Sequence, residues 1–201
     1  MRQLTTLELE AALEQIAAAP ADGGVVDLIV RRPGIEQREV LRVGQLTTEE
    51  GLAGDSWSVR GSSRTPDGSP HPDMQLTLAR SRLVQLVAQS RDRWPLAGDQ
   101  LYVDMDLSEA NLPAGTRLAI GSSIVEITTQ PHKGCGKFVA RFGADAMKFV
   151  NSPQGRAMRL RGVYARVIQP GEIRAGDIVR KICNVDATAD PDRHAIGAPA
   201  A

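Results

Sequence analysis

The feature that most constrains the fold of this chain is a series of short β-type runs separated by glycine-containing turns. Helix-type segments are inserted between some of these runs, but a regular alternation of strand and helix is missing. The chain is therefore predicted to be mostly β with inserted helices, an α+β fold with a mainly antiparallel, barrel-like core. The runs lie at 25–30, 39–46, 74–78, 101–105, 116–120, 124–129, 161–168 and 178–182.

Three segments are expected along the chain. Residues 1–24 form an N-terminal helical extension, because Thr5 and Glu8 fit a capping box and apolar residues follow at helical spacing. Residues 25–183 contain all the β-type runs and form one domain. In residues 184–201, Ala, Asp and Pro dominate and no apolar face remains, which predicts a disordered tail.

Composition excludes several classes of function. The 24 basic and 24 acidic residues cancel, which argues against a nucleic-acid binder that depends on an overall basic field. No apolar stretch approaches the roughly 18 residues of a membrane span. Glu8, Glu10 and Glu14 interrupt any secretory signal, and two cysteines make no disulfide framework. A cytoplasmic protein with no membrane or nucleic-acid partner is expected.

The segment QPHKGCGKFVARFG, at 130–143, concentrates the chemistry of the chain. Cys135 lies between Gly134 and Gly136, and His132 precedes it by three residues. The glycines are expected to leave the sulfur accessible, while nearby basic residues and the start of a helix favour the thiolate. The alternative is a buried structural cysteine, and Cys183 fits that description better. Cys135 is therefore the predicted catalytic or ligating residue.

The His-x-x-Cys spacing raises the question of zinc. The other half of a site would need Cys183 with His71 or His194, and none of these has a motif-like spacing to His132 or Cys135. No zinc is expected. A single thiolate instead suits a soft metal that brings its remaining ligands with it.

Cationic side chains are dense after the cysteine, and most are expected to form a solvated surface. Arg159 and Arg161 stand at the entry to a β-type run, where both can point the same way and clamp an anion. Lys133 is a third anion-binding candidate, and Asp99 is expected to lie close to Cys135. The chain shows no P-loop, G-x-S-x-G or H-E-x-x-H pattern and no lysine motif of a covalent pyridoxal phosphate site.

Taken together, these segments resemble the MOSC domain, the C-terminal module of molybdenum cofactor sulfurases, which also occurs alone in bacteria. The resemblance covers about residues 25–182, and the set of motifs in this order is specific although each alone is weak. The matching segments are GLAGD at 51–55, GDQL at 98–101, LPAGTRLAIG at 112–121, PHKGC at 131–135, RFG at 141–143, RGVYARV at 161–167 and GD at 176–177.

The resemblance implies a β-rich, barrel-like MOSC domain. It also implies that Cys135 carries sulfur as a persulfide or ligates the molybdenum of a pterin-bound cofactor, whose dithiolene and oxo ligands complete the metal. Relatives with a bound cofactor reduce N-hydroxylated substrates with electrons from partner proteins. The residues predicted to bind the cofactor around Cys135 are His132, Lys133, Gly134, Asp99, Arg159 and Arg161.

Three functions stay open at this stage. The first is a molybdenum-dependent oxidoreductase or sulfur transferase acting through Cys135, and the second is a non-catalytic module that holds the cofactor or another small anion for a partner. The third is a metal-free sulfur carrier. The pyridoxal phosphate-dependent, aminotransferase-like part of the sulfurases and ferredoxin-like cysteines are both missing here, so a separate sulfur-donor or electron-donor protein is expected. Gln100 departs from the Asn found in many relatives.

Overall fold

The computed structural model describes residues 2–182. The predicted tail at 184–201, Cys183 and His194 lie outside the described residues. The strands are β1 (Gly24–Arg31), β2 (Glu39–Leu41), β3 (Val43–Thr47), β4 (Gly51–Leu52), β5 (Leu76–Arg80), β6 (Leu101–Asp104), β7 (Arg117–Ile120), β8 (Ser123–Ile127), β9 (Val163–Gln169), β10 (Gly171–Arg174) and β11 (Ile178–Ile182). The α helices are α1 (Thr6–Ala11), α2 (Leu13–Ala17), α3 (Trp57–Arg60), α4 (Ser81–Ala88), α5 (Gly136–Phe142), α6 (Ala144–Asn151) and α7 (Pro153–Ala157). Two 3₁₀ helices span Pro72–Met74 and Arg91–Ala97.

Seven strands close into a barrel in the order β1-β11-β7-β8-β9-β5-β6, with β6 returning to β1. Every neighbouring pair in the barrel is antiparallel except β5 and β6, which run parallel. The short β2 extends this sheet beside β1, and β10, β3 and β4 form a second, three-stranded sheet. The predicted α+β fold with a mainly antiparallel barrel is confirmed. Among residues 2–182, no helix has both the length and the apolar character to cross a membrane.

Alternate residues of β1 pack into two separate apolar cores. Ile29 points into the barrel, where its aliphatic neighbours include Leu78 and Leu101. Leu28 and Val30 point outward and join the cluster under the helices. Because successive side chains of a strand face opposite sides, a strand buried on both faces has a continuous apolar sequence. This explains why the strand is apolar on both sides of Asp27.

The N-terminal helices pack on this second core. The single helix expected there is divided at Ala12 into α1 and α2, and the predicted capping box is present. The Glu8 N–H donates to Thr5 Oγ1 at 3.4 Å, and the Thr5 N–H donates to Glu8 Oε2 at 2.8 Å. Leu9 and Ile16 are 0% and 1% exposed and lie in the cluster under the helices.

Three details of the sheet differ from the sequence prediction, and one is the two-residue strand β4, which has no counterpart among the predicted runs. The run at 39–46 is broken at Arg42, because β2 pairs with β1 whereas β3 pairs with β10 in the second sheet. The strand β10 has no counterpart among the predicted runs. It contains only four residues and is stabilised by pairing with β3, which lies far earlier in the chain. A local sequence pattern does not reveal such a partner.

Replacing Leu9 by Ala tests whether the N-terminal helices belong to the core. The change removes a fully buried side chain, and we expect it to lower the free energy of unfolding by about 2–5 kcal/mol. Leu7 is the matched control, because it lies on the same helix and is 77% exposed. Leu7→Ala should change stability by less than about 0.5 kcal/mol in the same urea titration. Equally small losses in both variants would mean that α1 is dispensable to the core.

Candidate functional site

Cys135 is exposed and caps the N-terminus of α5 without a side-chain hydrogen bond to the helix. It lines a pocket of about 540 Å³, here called the Cys135 pocket. That volume is within the range of small-molecule sites. The exposed thiol argues against a buried structural role. The wall includes Arg32, Glu36, Arg38, Trp57, Arg60, Gly98, His132, Lys137, Phe138, Arg141, Arg161 and Tyr164.

The loop before Cys135 is fixed by Asn151 at the end of α6. The N–H of Gly134 donates to Asn151 Oδ1 at 3.0 Å, and the Gly134 carbonyl accepts from Asn151 Nδ2 at 3.1 Å. A Cβ at position 134 would lie 3.0 Å from Val150 Cγ2, so glycine permits this close approach. A Cβ at Gly136 would meet nothing within 4 Å. Gly134 therefore positions the thiol against α6, whereas Gly136 leaves the space beside it open.

Asp99, His132 and Arg161 meet at the wall of the pocket. Asp99 is fully buried, and Arg161 Nη1 donates to its Oδ2 at 2.6 Å while Arg161 Nη2 donates to the Ala97 carbonyl at 2.8 Å. The His132 Nε2 lies 3.5 Å from Asp99 Oδ1. The imidazole also stacks against Tyr164, with ring centroids 4.6 Å apart. Three segments that the sequence singled out thus converge through one carboxylate.

This cluster is short of hydrogen bonds. Within residues 2–182, Asp99 Oδ1, His132 Nδ1 and Arg161 Nε are buried and have no hydrogen-bond partner. Each buried polar atom left unpaired costs about 1–3 kcal/mol. A fold retains several such atoms in one place when the position of the groups matters for another purpose. Three such atoms in one wall make the cluster part of the candidate site.

The same burial sets the charge of the cluster. Burial, together with the Arg161, Arg32 and Arg64 guanidinium groups, lowers the pKa of His132 well below its ordinary value. Burial raises the pKa of Asp99, and the contact with Arg161 opposes that rise. His132 is therefore a neutral imidazole at pH 7.

A second buried ion pair closes the other side of the pocket. Arg32 Nε and Nη2 donate to the two oxygens of Asp55 at 2.9 and 2.8 Å. Arg32 Nη1 also donates to the Gly98 carbonyl at 2.8 Å, and Gln100 Nε2 lies 3.4 Å from Asp55 Oδ1. The segments GLAGD and GDQL are thereby joined in one buried network. Gln100 belongs to this network.

Cations outnumber carboxylates around the pocket. Six cationic side chains line it, and Asp55, Asp99 and Glu36 are the three carboxylates that pair with them. Within the described part of the chain, Arg38 and Arg60 make no ion pair with a carboxylate. Partial burial and the neighbouring Arg141 and Arg32 guanidinium groups lower the pKa of Arg38. The pocket is therefore electropositive and suited to an anionic ligand. The six cations are Arg32, Arg38, Arg60, Lys137, Arg141 and Arg161.

Arg159 and Lys133 lie elsewhere. Both line a smaller pocket of about 190 Å³, and His132 is shared between the walls of the two pockets. Arg159 has a φ of 47° and donates from Nη1 to the Leu112 carbonyl at 2.6 Å. The prediction that Arg159 and Arg161 form a pair is wrong, because the turned backbone directs them to different pockets. Anion binding by Lys133 or Arg159 stays a prediction.

The sequence did not identify Arg32, Arg38 or Arg60 as site residues. They lie on loops and on α3 in the first third of the chain, far from Cys135 in sequence. Asp55 was the available signal, because a carboxylate inside a glycine-rich turn needs a cation when it is buried.

Among residues 2–182, no group of three or more His, Cys, Asp or Glu side chains is placed to hold a metal ion. A metal at Cys135 would thus need ligands that these side chains do not supply.

Comparison with known proteins agrees with this fold. The MOSC domain model matches residues 71–180, which contain Cys135, His132, Asp99 and Arg161. One similar solved structure is a hypothetical protein with 21% identity and a TM-score of 0.54, covering 83% of this chain and 71% of that chain. YiiM from Escherichia coli has 20% identity and a TM-score of 0.51, covering 80% of this chain and 71% of that chain. YiiM from Geobacillus stearothermophilus has 15% identity and a TM-score of 0.53, covering 79% of this chain and 75% of that chain. No curated protein matches the chain.

The lowered pKa of His132 predicts a pH dependence of stability. The unfolded chain takes up a proton at this imidazole as the pH falls below about 6.5, whereas the folded chain does not. The free energy of unfolding should therefore decrease as the pH is lowered below about 6.5. His132 contributes at most about 1.4 kcal/mol of this decrease per pH unit. Imidazole NMR should show His132 neutral at pH 6, with His132→Gln used for assignment.

The same variant provides the control for stability. His132→Gln should lose less stability than the wild type between pH 7 and pH 5.5, because the difference isolates this imidazole from other titrating groups. Ordinary titration of His132 near pH 6.5, or equal losses in the two proteins, would contradict its neutral, buried state.

Proposed function

The chain belongs to the MOSC domain family, and we propose that its Cys135 pocket binds a molybdenum-pterin cofactor and reduces N-hydroxylated compounds. One observation carries the proposal: an exposed thiol opens onto a pocket whose cations outnumber their carboxylate partners by six to three.

The residues of the pocket fit such a cofactor. A single thiolate suits a soft metal whose other ligands come from the cofactor itself. The surplus of guanidinium groups suits a phosphate group, because their forked donors match its oxygens. Trp57, Phe138 and Tyr164 add aromatic surface to the wall against which a flat heterocycle can pack.

Each group then has a role. Cys135 ligates the molybdenum, and the thiol is held in place by the two hydrogen bonds between Gly134 and Asn151. Arg38 and Arg60, which have no carboxylate partner in the described chain, bind the anionic part of the cofactor. Asp99 and Arg161 fix the wall of the pocket behind His132. When bound, the cofactor supplies two-electron redox chemistry.

The proposed reaction balances with an external electron donor. An N-hydroxylated compound, R–NHOH, takes up two electrons and two protons. Its N–O bond breaks, an N–H bond forms, and the oxygen leaves as water, which gives R–NH₂ and H₂O. Cys135 is the one cysteine of residues 2–182, so these residues cannot hold an iron–sulfur cluster through protein thiolates. We therefore propose that the electrons come from a separate protein.

Cys135→Ala tests the proposal. The protein is purified from a bacterial host that makes the cofactor, and molybdenum is measured by mass spectrometry and pterin by fluorescence. We expect both to fall at least tenfold, because the metal loses its one protein thiolate. Reduction of an N-hydroxylated purine with reduced methyl viologen should fall in parallel. Cys183→Ala, which removes the other thiol of the chain, should retain molybdenum within twofold.

The outcomes separate the functions that the sequence left open. Equal molybdenum in wild type and Cys135→Ala would contradict the proposed ligand. Full molybdenum with no turnover of N-hydroxylated purines or amidoximes would replace the reductase by a non-catalytic cofactor-binding module. A molybdenum-free protein that accumulates a persulfide at Cys135 would identify a sulfur carrier.

A further inference from the structure

The two most exposed large apolar side chains of residues 2–182 lie at the mouth of the Cys135 pocket. Ile35, on the loop between β1 and β2, is 90% exposed, and Val59, on α3, is 84% exposed. Both line the pocket. Single exposed apolar residues are normal on a protein surface. Two of them are brought by different elements to the opening of one site, which makes this opening a candidate docking surface.

Both elements are anchored to the same buried carboxylate. Asp55 accepts hydrogen bonds from the N–H and the guanidinium group of Arg32, at the start of the loop that carries Ile35. It also accepts the N–H of Trp57 at 3.1 Å, at the start of the helix that carries Val59. The loop is tied down further by Glu36, which binds Lys137 and Arg141 on α5. Ile35 and Val59 are thus presented on fixed supports.

The surroundings of the two apolar side chains are cationic. Arg60 follows Val59 directly and makes no ion pair within the described chain. Lys137 is 68% exposed and is paired with Glu36, which follows Ile35, so Arg60 carries the unpaired charge. Arg64, also exposed, lies close enough to His132 to lower the pKa of the imidazole. The whole chain has a formal net charge of zero, so this positive surface is local. An apolar centre with a charged rim is the usual anatomy of a protein-binding surface, and a basic rim selects an acidic partner.

The proposed reduction needs an electron donor that reaches the pocket. The proposed reduction consumes two electrons, and the donor must approach the pocket because electron transfer between proteins needs short distances. The opening beside Ile35 and Val59 leads to Cys135. A donor seated there would cover the apolar pair and bring its redox centre to the site.

We propose that Ile35 and Val59 form the apolar centre of a docking surface for an acidic electron-donor protein, with Arg60, Arg64 and Lys137 as its rim. This inference rests on the proposed function of the Cys135 pocket. It adds the position of the interface and the charge of the partner.

The first test measures binding and does not depend on turnover. Oxidised bacterial [2Fe–2S] ferredoxin, an acidic carrier, is titrated into the purified protein by calorimetry, and flavodoxin serves as a second probe. Ile35→Ser/Val59→Ser should raise the Kd at least tenfold. The matched control is Leu7→Ser, which removes a 77% exposed apolar residue from α1 and should leave the Kd within twofold. Raising the salt from 50 to 300 mM should weaken binding in the wild type.

The second test measures turnover with two donors. With ferredoxin as donor, the KM for ferredoxin should rise at least tenfold in Ile35→Ser/Val59→Ser. With reduced methyl viologen, which needs no docking surface, the KM for the N-hydroxylated purine should rise at least fivefold less than the KM for ferredoxin, because the two side chains line only the mouth of the pocket. No viologen-driven turnover by the wild type would refute the proposed reaction, whereas the binding test would still report on the surface.

Several outcomes would overturn the docking surface. They include failure of the wild type to bind either ferredoxin or flavodoxin, and equal Kd values for the double variant and Leu7→Ser. An equal rise of the two KM values, for ferredoxin and for the N-hydroxylated purine with viologen, would assign the two side chains to the substrate instead. Loss of a wild-type dimer in the double variant, seen by size-exclusion chromatography, would assign them to contact with a second copy of the chain.

Discussion

The ion pair between Arg161 and Asp99 is the interaction on which the site depends. It joins the turn before β6 to the start of β9, and the free side of the carboxylate faces His132 in the cysteine loop. A buried ion pair is a poor source of net stability, because desolvation offsets most of its attraction. Removing one partner, however, leaves an uncompensated buried charge. The pair is therefore best understood as a device that fixes geometry.

The pocket exists because the barrel closes. Cys135 and Arg161 belong to the second half of the chain, whereas Arg32, Asp55 and Arg60 belong to the first. The pairing of β1 with β11 and of β5 with β9 brings the two halves together. The second ion pair, between Arg32 and Asp55, then fixes the N-terminal loops against the turn at Gly98. Electropositive character is thus a property of the assembled fold, and the neutral composition of the chain does not reveal it.

Features with a local cause were predictable from the sequence. The capping box at Thr5 and Glu8 and the last strand, β11, follow from adjacent residues and appear as expected. Features that depend on distant partners were not predictable from the sequence. The strand β10 exists through its pairing with β3, and Arg159 is turned away from Arg161 by a left-handed backbone conformation.

The residues of the candidate site also include some that the sequence revealed and some that it did not. Cys135 and its glycine neighbours were visible as a motif, and so was Asp99. The cationic side chains from the N-terminal loops were not, because Arg32 and Arg60 have no sequence relation to the cysteine. Only the fold places them in one pocket.

The proposed function places molybdenum on Cys135 in this pocket. Diffraction from crystals of the cofactor-loaded protein, collected at the molybdenum absorption edge, locates the metal without reference to activity. The account predicts one anomalous peak inside the Cys135 pocket, at coordination distance from Cys135 Sγ. A peak in the smaller pocket beside Arg159, or at any site away from Cys135, would contradict it.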